Sequence, residues 1–316
     1  MSRAKWMTGN YGIGVHYLSH LHHPDGTKKD FNEMAKEFDV ESFVDEMEKM
    51  GAKWVLFPFG QNSGYYWSEN PYIEKYMPNR CSKRDLVYDI AVALQKKDIR
   101  LIAYIPTEFD EQPEEMRNAF DWDKSLDKKD FMEKWMKVIS YYGEKFGSLI
   151  SGWWYDGNYN SVYKSFKRTH GWDNSRFDKE KWIAATKAGN PERVFAMCNG
   201  ANHMSYVWEE EEYLAGELSE GLTKFPWDVD YNYCNPDLQK QWHAFITTDC
   251  FWMWNYEENP EGIPLPRFKD AEIFNYAEKC LDKGGAITFN IGIYGDGSLA
   301  QPTVEQIIRM KNYLER

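Results

Sequence analysis

A chain of 316 residues that is 42% hydrophobic carries enough apolar material for one large folded domain, which excludes a disordered segment or a short disulfide-stapled module. Its net charge of −12, with basic residues only in isolated pairs such as Lys28-Lys29, Lys96-Lys97 and Lys128-Lys129, excludes the basic face that a nucleic-acid partner requires and favours a neutral or small substrate. No stretch is apolar enough to span a membrane, and the start Met1-Ser2-Arg3-Ala4-Lys5-Trp6 lacks a signal-type apolar run, so the expected setting is the cytoplasm, or export with a signal segment removed.

Along the chain, short apolar runs alternate with amphipathic stretches, the rhythm of repeated βα units. Gly12-Ile13-Gly14-Val15-His16-Tyr17 reads as strand one. Val40 to Met50, with Phe43, Met47 and Met50 at helical spacing and Gly51 as a stop, reads as a helix. Trp54-Val55-Leu56-Phe57 is strand two, and Ser82 to Lys97, with Leu86, Ile90 and Leu94 on one face, is the next helix. Leu101 to Ile105 is strand three, followed by a helix near Lys129 to Lys145. Gly152 to Tyr155 is strand four, Asp178 to Lys187 a short helix, and Val194 to Met197 strand five. Strand six is expected near Tyr213-Leu214-Ala215, a helix over Asp237 to Phe245, and strand seven at Phe251-Trp252-Met253-Trp254. A helix over Phe268 to Lys283, strand eight at Ala286 to Phe289 and a last helix over Val304 to Leu314 complete the pattern. The expectation is a single-domain (β/α)8 TIM barrel over residues 1–316, although a doubly wound sheet shares this rhythm.

In such a barrel, residues just after each strand converge on one face. Here those are His16, Gln61 and Asn62, Glu108, Asp156, Asn199, Glu217, Asn255 and Asn290. The loops 60–80 and 106–128 are long and open onto the same face. Glycoside hydrolysis needs two carboxyl groups flanking one bond, and Asp156 with Glu217 supplies them. Asp156 precedes Gly157, a common turn pair, but its Trp153-Trp154-Tyr155 flank raises it above a turn residue. Glu217 follows the acidic run Glu209 to Glu212, read as a solvated face, so Glu212 and Glu220 compete for its role.

Aromatic residues make up 17%, including 14 Trp and 21 Tyr. Many must be core, but a sugar's C–H face stacks on aromatic rings while its hydroxyls need polar partners. Trp67, Tyr104, Trp154, Trp252 and Trp254, in or beside the expected strand ends, are the candidate sugar-contacting rings, with His16, Gln61, Asn62, Asn199 and Asn290 as polar partners.

His16, His20, His22 and His23 match no zinc spacing and no carboxylate completes them, so no metal is expected. Cys81, Cys198, Cys234, Cys250 and Cys280 are scattered without a C-x-x-C pair, against a disulfide framework or zinc ribbon. There is no Gly-rich phosphate loop or nucleophile elbow, and no cofactor is expected. Gly295-Asp296-Gly297 reads as a tight turn.

At these residues the chain resembles the α-L-fucosidases of glycoside hydrolase family 29, in order along most of its length. Gly12-Ile13-Gly14-Val15-His16 is similar to the family's first strand, whose His contacts the sugar, and Gly51 to Leu56 resembles its second. Lys83-Arg84-Asp85-Leu86-Val87 resembles its Lys-Arg-Asp-Leu-Val helix start. Trp154-Tyr155-Asp156-Gly157 resembles its Trp-Phe-Asp-Gly motif, in which the Asp is the nucleophile, and Asn290-Ile291-Gly292 with Asp296-Gly297 resembles its last-strand signature. The resemblance implies a retaining exo-glycosidase working through a covalent glycosyl-aspartate, with an oligosaccharide or glycoside as its partner. Three departures bear on the sugar. Gly60-Gln61-Asn62-Ser63-Gly64 stands where the family has a His-His pair that binds fucose hydroxyls. Its Arg after strand five is missing at Asn199-Gly200-Ala201, and its C-terminal β-sandwich is not expected here. Acid/base positions vary within the family, which leaves Glu217 to be tested against its neighbours.

Two other readings compete: a carbohydrate-binding barrel without turnover, and an α/β enzyme of another chemistry. The first needs no pair of close carboxyl groups, so the separation of Asp156 from Glu217 discriminates.

Overall fold

The computed structural model describes residues 3–124, 127–157, 178–228 and 240–316. Eight parallel strands form one sheet: β1 (Tyr11–Gly14), β2 (Trp54–Pro58), β3 (Arg100–Pro106), β4 (Ile150–Asp156), β5 (Val194–Met197), β6 (Glu217–Leu218), β7 (His243–Thr247) and β8 (Ala286–Asn290). Their order is β5-β4-β3-β2-β1-β8-β7-β6, so the two ends of the sheet are consecutive in the chain. The β5–β6 seam is joined differently from the others. Glu212 N–H donates to the Phe195 carbonyl at 3.3 Å and Asn202 N–H to the Glu217 carbonyl at 2.7 Å. The Glu211 carboxylate accepts Met197 N–H at 2.8 Å and that of Glu212 accepts Phe195 N–H at 3.0 Å. Side-chain carboxylates thus stand in for ladder carbonyls, and the sheet closes as a (β/α)8 barrel.

The alternation of side chains sorts two apolar layers. Trp54, Leu56, Ile102, Tyr104, Trp154, Val194, Ala196, Tyr213, Ala215 and Phe245 fill the barrel interior. Their chain neighbours Val55, Phe57, Leu101, Ala103, Ile105, Trp153 and Tyr155 face the helices. The two glycines of β1 make room inside the barrel: a Cβ on Gly12 would lie 2.3 Å from Trp54 Nε1, and one on Gly14 2.6 Å from Phe245. Deeper in, His243 shares its two ring nitrogens with the Leu214 carbonyl (2.8 Å) and Thr288 Oγ1 (2.7 Å), and the same hydroxyl accepts Trp54 Nε1–H at 2.8 Å.

The outer helices follow their capping chemistry. Asp39, Asn70, Asp85 and Asp178 cap α2 (Val40–Lys49), α3 (Pro71–Tyr76), α4 (Leu86–Lys96) and α7 (Lys179–Lys187). The Lys83-Arg84-Asp85 motif acquires a reason: Asp85 caps α4, while Arg84 donates to the carbonyls of Ala35 (2.9 Å) and Phe38 (2.8 Å) around the end of α1 (Phe31–Glu37). Two short helices, α3 and α5 (Glu114–Ala119), lie in the long loops after β2 and β3. The long α6 (Lys129–Phe146) buries Phe131, Trp135, Val138 and Tyr142, and α8 (Asp270–Asp282) and α9 (Gln301–Leu314) complete the set. Among the described residues no helix is long and apolar enough to cross a membrane.

Three expectations need correction. Strand seven is His243–Thr247, not Phe251 to Trp254. The aromatic run is a loop, and Trp252 sits at φ 60°, a left-handed conformation that no strand contains. Residues 243–245 of the expected helix over Asp237 to Phe245 therefore belong to β7, and 237–239 lie outside the described residues, as does Cys234. Strand six forms at Glu217–Leu218, beyond Tyr213-Leu214-Ala215, of which only Tyr213 makes a bridge, to Gln241. Gly216 separates them at φ 68°, where a Cβ would lie 2.0 Å from the His243 carbonyl. Finally, the acidic run is not a solvated face throughout, because Glu211 is buried and Glu212 half-buried as ties of the β5–β6 seam.

Candidate active site

The site stands at the C-terminal ends of the strands. Asp156 closes β4, and its main chain is fixed from β3: its carbonyl accepts both Thr107 N–H and Thr107 Oγ1–H at 2.6 Å. Its carboxylate Oδ2 accepts the hydroxyl of Tyr104, whose ring stacks on Trp154 at 5.0 Å. Trp154 is locked in turn by its indole N–H on the Ala215 carbonyl, 3.0 Å away. The nucleophile candidate therefore rests on two strands whose registers are set by the main chain.

Glu217 starts β6 and reaches the same point from across the barrel. One ligand atom each of Asp156, Cys198 and Glu217 lies within 4.8 Å of the others. Asp156 and Glu217 are both buried, at 8% and 7% exposure. The Cys198 thiol donates to Glu217 Oε2 at 2.9 Å. Burial first, and the Asp156 charge second, raise the Glu217 carboxyl to about 8, so it holds its proton at neutral pH. Burial also keeps the Cys198 thiol and the Tyr104 hydroxyl protonated. A metal on these three groups would have to displace the protons that burial keeps on Cys198 and Glu217.

His16 and Asn290 form the opposite wall. His16 Nδ1 pairs with Asn290 Oδ1 at 2.8 Å, and the ring stacks on Phe245 at 5.8 Å with an interplanar angle of 9°. It also lies 5.5 Å from the Tyr104 ring and 5.7 Å from Trp252. Burial lowers its pKa, so a neutral imidazole faces the site. Asn290 Nδ2 donates to the Trp252 carbonyl at 2.7 Å, pinning the left-handed Trp252 over the ring of His16.

A sequence model described as Alpha-L-fucosidase matches residues 2–316. The chain belongs to the α-L-fucosidase family. It is a glycoside hydrolase of the fucosidase type, acting on a glycoside. No curated protein matches it in sequence. Among solved structures it is similar to the endo-fucoidan hydrolase P5AFcnA of glycoside hydrolase family 107, at TM-score 0.74 and 13% identity over 99% of this chain and 93% of that one. The α-L-fucosidase AlfC of Lactobacillus casei, in complex with α-L-fucose, aligns at TM-score 0.65 and 12% identity, covering 99% and 97% of the two chains. The Thermotoga maritima α-fucosidase aligns at TM-score 0.64 and 16% identity, covering 98% and 73%. At these identities the structures share the fold.

Within this fucosidase fold, Asp156, Glu217, His16, Tyr104, Trp154, Asn290 and Trp252 come together as one cluster. Asn62 joins through Glu111: its amide donates to that carboxylate, whose charge reaches Glu217. Gln61 is buried, its main-chain carbonyl taken by Gln112 Nε2 at 2.9 Å and its side-chain Oε1 without a partner among the described residues. Asn199 is buried and tied to Ser205 Oγ. Two expected sugar-contacting rings stand elsewhere. Trp67 is core, packed on Tyr17 and Phe31 with its N–H on the Tyr17 carbonyl at 2.7 Å. Trp254 packs against Tyr294 and gives its N–H to the Asn259 carbonyl at 3.1 Å. Of the rivals to Glu217, Glu212 binds Lys187 Nζ at 2.6 Å within the seam, and Glu220 is exposed. Of the other histidines, His22 stacks on Tyr256, His23 faces Glu37 at 3.8 Å and His20 is exposed.

Cys198, Glu111 and Phe245 escaped the sequence reading. Phe245 carried a usable signal, the short apolar run Ala244-Phe245-Ile246, masked by the aromatic run that follows it. Cys198 carried none: a lone cysteine after a strand has no distinguishing pattern.

Proposed function

We propose that the chain is a retaining exo-glycosidase, working by double displacement with Asp156 as nucleophile and Glu217 as general acid and then base. The observation that carries this reading is the approach of the two carboxylates, with oxygens within 4.8 Å. Retaining enzymes hold their carboxyl groups about 5–5.5 Å apart, whereas inverting ones need roughly 6.5–9.5 Å to admit a water. A binding barrel without turnover has no use for two carboxyl groups forced together at this electrostatic cost.

In the first step Asp156 attacks the anomeric carbon through Oδ1, Oδ2 being held by Tyr104, while Glu217 passes its proton to the departing glycosidic oxygen. The aspartyl ester so formed is neutral. Loss of the Asp156 charge removes one of the causes that raise the Glu217 pKa, so Glu217, having given up its proton, stays ionised and available as the base for the attacking water. Hydrolysis of the ester restores both groups.

The substrate we infer is a fucose-type glycoside other than a simple α-L-fucoside. Gln61 and Asn62 offer amide donors and acceptors where the family has imidazoles, and Gln61 Oε1 is a buried acceptor awaiting a hydroxyl. A panel of chromogenic glycosides, beginning with aryl α-L-fucoside and including fucoidan oligosaccharides, tests this. The expected outcome is slow turnover of the aryl α-L-fucoside and faster turnover of another member. Efficient hydrolysis of the fucoside, at rates usual for glycosidases, would show that the loss of the histidines is compensated.

A further inference from the structure

Cys198 is the one nucleophilic side chain in the cluster to which neither the family motifs nor the two-carboxylate mechanism gives a role. It follows β5, with its N–H on the Tyr155 carbonyl at 2.7 Å, so its position is set by the β4–β5 ladder. Its side chain lies in the barrel interior with Ala196, Tyr213 and Ala215. From there the thiol touches Glu217 Oε2 at 2.9 Å.

We infer that Cys198 is a positioning residue for Glu217: its S–H binds Oε2 in both protonation states of the carboxyl group and directs Oε1 to the glycosidic oxygen. This rests on the assignment of Glu217 as acid/base. The physical need is specific to the β5–β6 seam. Glu217 begins a strand of two residues, beside a boundary joined partly by side chains, and lacks the long main-chain ladder that holds Asp156. A carboxyl that must give up and regain a proton also needs a partner that does not titrate with it. Burial keeps the thiol protonated, so it donates throughout the cycle. A hydroxyl would do the same; an alkyl group would not.

The groups facing Glu217 are few and come from four places. Tyr104 approaches from β3, Glu111 from the loop after β3, Asp156 from the end of β4 and Cys198 from just after β5; His16, just after β1, stands at Asp156. Asp156 and Glu111 disfavour the ionised Glu217, and Cys198 is the donor that favours it. Removing the thiol therefore raises the Glu217 pKa and leaves the carboxyl free to turn.

The test is a ¹³C NMR titration of the full chain labelled at glutamate Cδ, with the Glu217 resonance assigned by its loss in Glu217→Gln. In Cys198→Ala the midpoint should rise by about one pH unit, a tenfold gain in proton affinity, while Cys198→Ser should stay within a few tenths. A midpoint that is unchanged or lower in the alanine variant, or equally raised in the serine variant, overturns the proposal. Should the alanine variant fail to fold, the infrared S–H stretch of the unmodified chain carries the test. One S–H band should move to lower frequency as Glu217 ionises and stay fixed with pH in Glu217→Gln; the absence of any such band overturns the contact. Neither measurement needs a substrate. The Cys198 contact can therefore fail while Glu217 is still required for turnover, and a dispensable Glu217 would be read separately, from the turnover of Glu217→Ala.

Discussion

The β3–β4 and β5–β6 seams of this barrel deliver one carboxylate each, by opposite means. Between β3 and β4 five residue pairs run in register from Ile102 and Gly152 to Pro106 and Asp156, above a register shift at Leu101, and Asp156 is simply the last rung. Between β5 and β6 carboxylates share the joining with a few main-chain bonds. Glu211 accepts N–H from Met197 (2.8 Å), Val207 (2.6 Å) and Trp208 (2.7 Å), and Glu212 accepts from Phe195. The lesson is that burying a glutamate on one short segment produces two different objects. Glu211, ringed by three N–H donors, is a brace; Glu217, facing another carboxylate and a thiol, is the proton carrier we propose.

The strongest way to break this comparison is at its rigid end. Asp156→Ala should abolish turnover on every glycoside, a loss on the order of 10⁴-fold or more, because nothing else within reach can form the ester. A steady-state assay that finds the variant within a hundredfold of the parent chain would remove Asp156 from the chemistry.

At the other seam, Glu217→Ala should cost about 10²–10⁴-fold on substrates with poor leaving groups and much less on activated aryl glycosides, with partial rescue by azide. The pH profile sharpens the point. As the proposed acid, Glu217 would act only while protonated, and its pKa is raised to about 8, so kcat/KM should hold below that value and fall tenfold per unit above it. That alkaline limb should vanish in the variant on aryl substrates. Full activity retained by Glu217→Ala, together with loss in Glu212→Ala or Glu220→Ala, would move the acid elsewhere in the same segment.

Tyr104→Phe removes one hydrogen bond to an ionised group, worth about 1.5–3 kcal/mol, and should lower kcat roughly 10–100-fold with little change in thermal stability. A change confined to KM would show that the hydroxyl serves binding rather than the placement of Asp156.

Glu211→Ala should have the smallest effect on catalysis and the clearest one on folding. It orphans three N–H groups at about 1–3 kcal/mol each, so Tm should drop by roughly 5–10 °C while kcat/KM per folded molecule stays within a few-fold. A kinetic loss as deep as that of Glu217→Ala would erase the distinction between brace and proton carrier.

Most strands, most helices and Asp156 were legible because they follow from local pattern: apolar runs of strand length, acidic caps before helices, and a carboxylate placed directly at the end of a buried strand. What failed to be read shares one cause. Strand seven was assigned to Phe251 to Trp254 because aromatic residues favour strands, yet Trp252 is held left-handed by a contact from Asn290, far away in sequence. Glu209 to Glu212 looked like a solvated face because charge usually is, yet two of the four replace a missing ladder. Trp67 and Trp254 stood near strand ends like the others, but whether an indole faces core or cleft depends on which carbonyl takes its N–H.

By itself the sequence determined the barrel rhythm and the carboxylate at the end of β4, since each depends on neighbours a few residues apart or on the pattern along one strand. Only the tertiary structure decided which glutamate meets Asp156, that a thiol touches that glutamate, and that His16 and Asn290 share a hydrogen bond across 274 positions of chain. Those are contacts across the closed barrel, where burial and a neighbouring charge set the proton affinity, and neither quantity exists until the strands have come together.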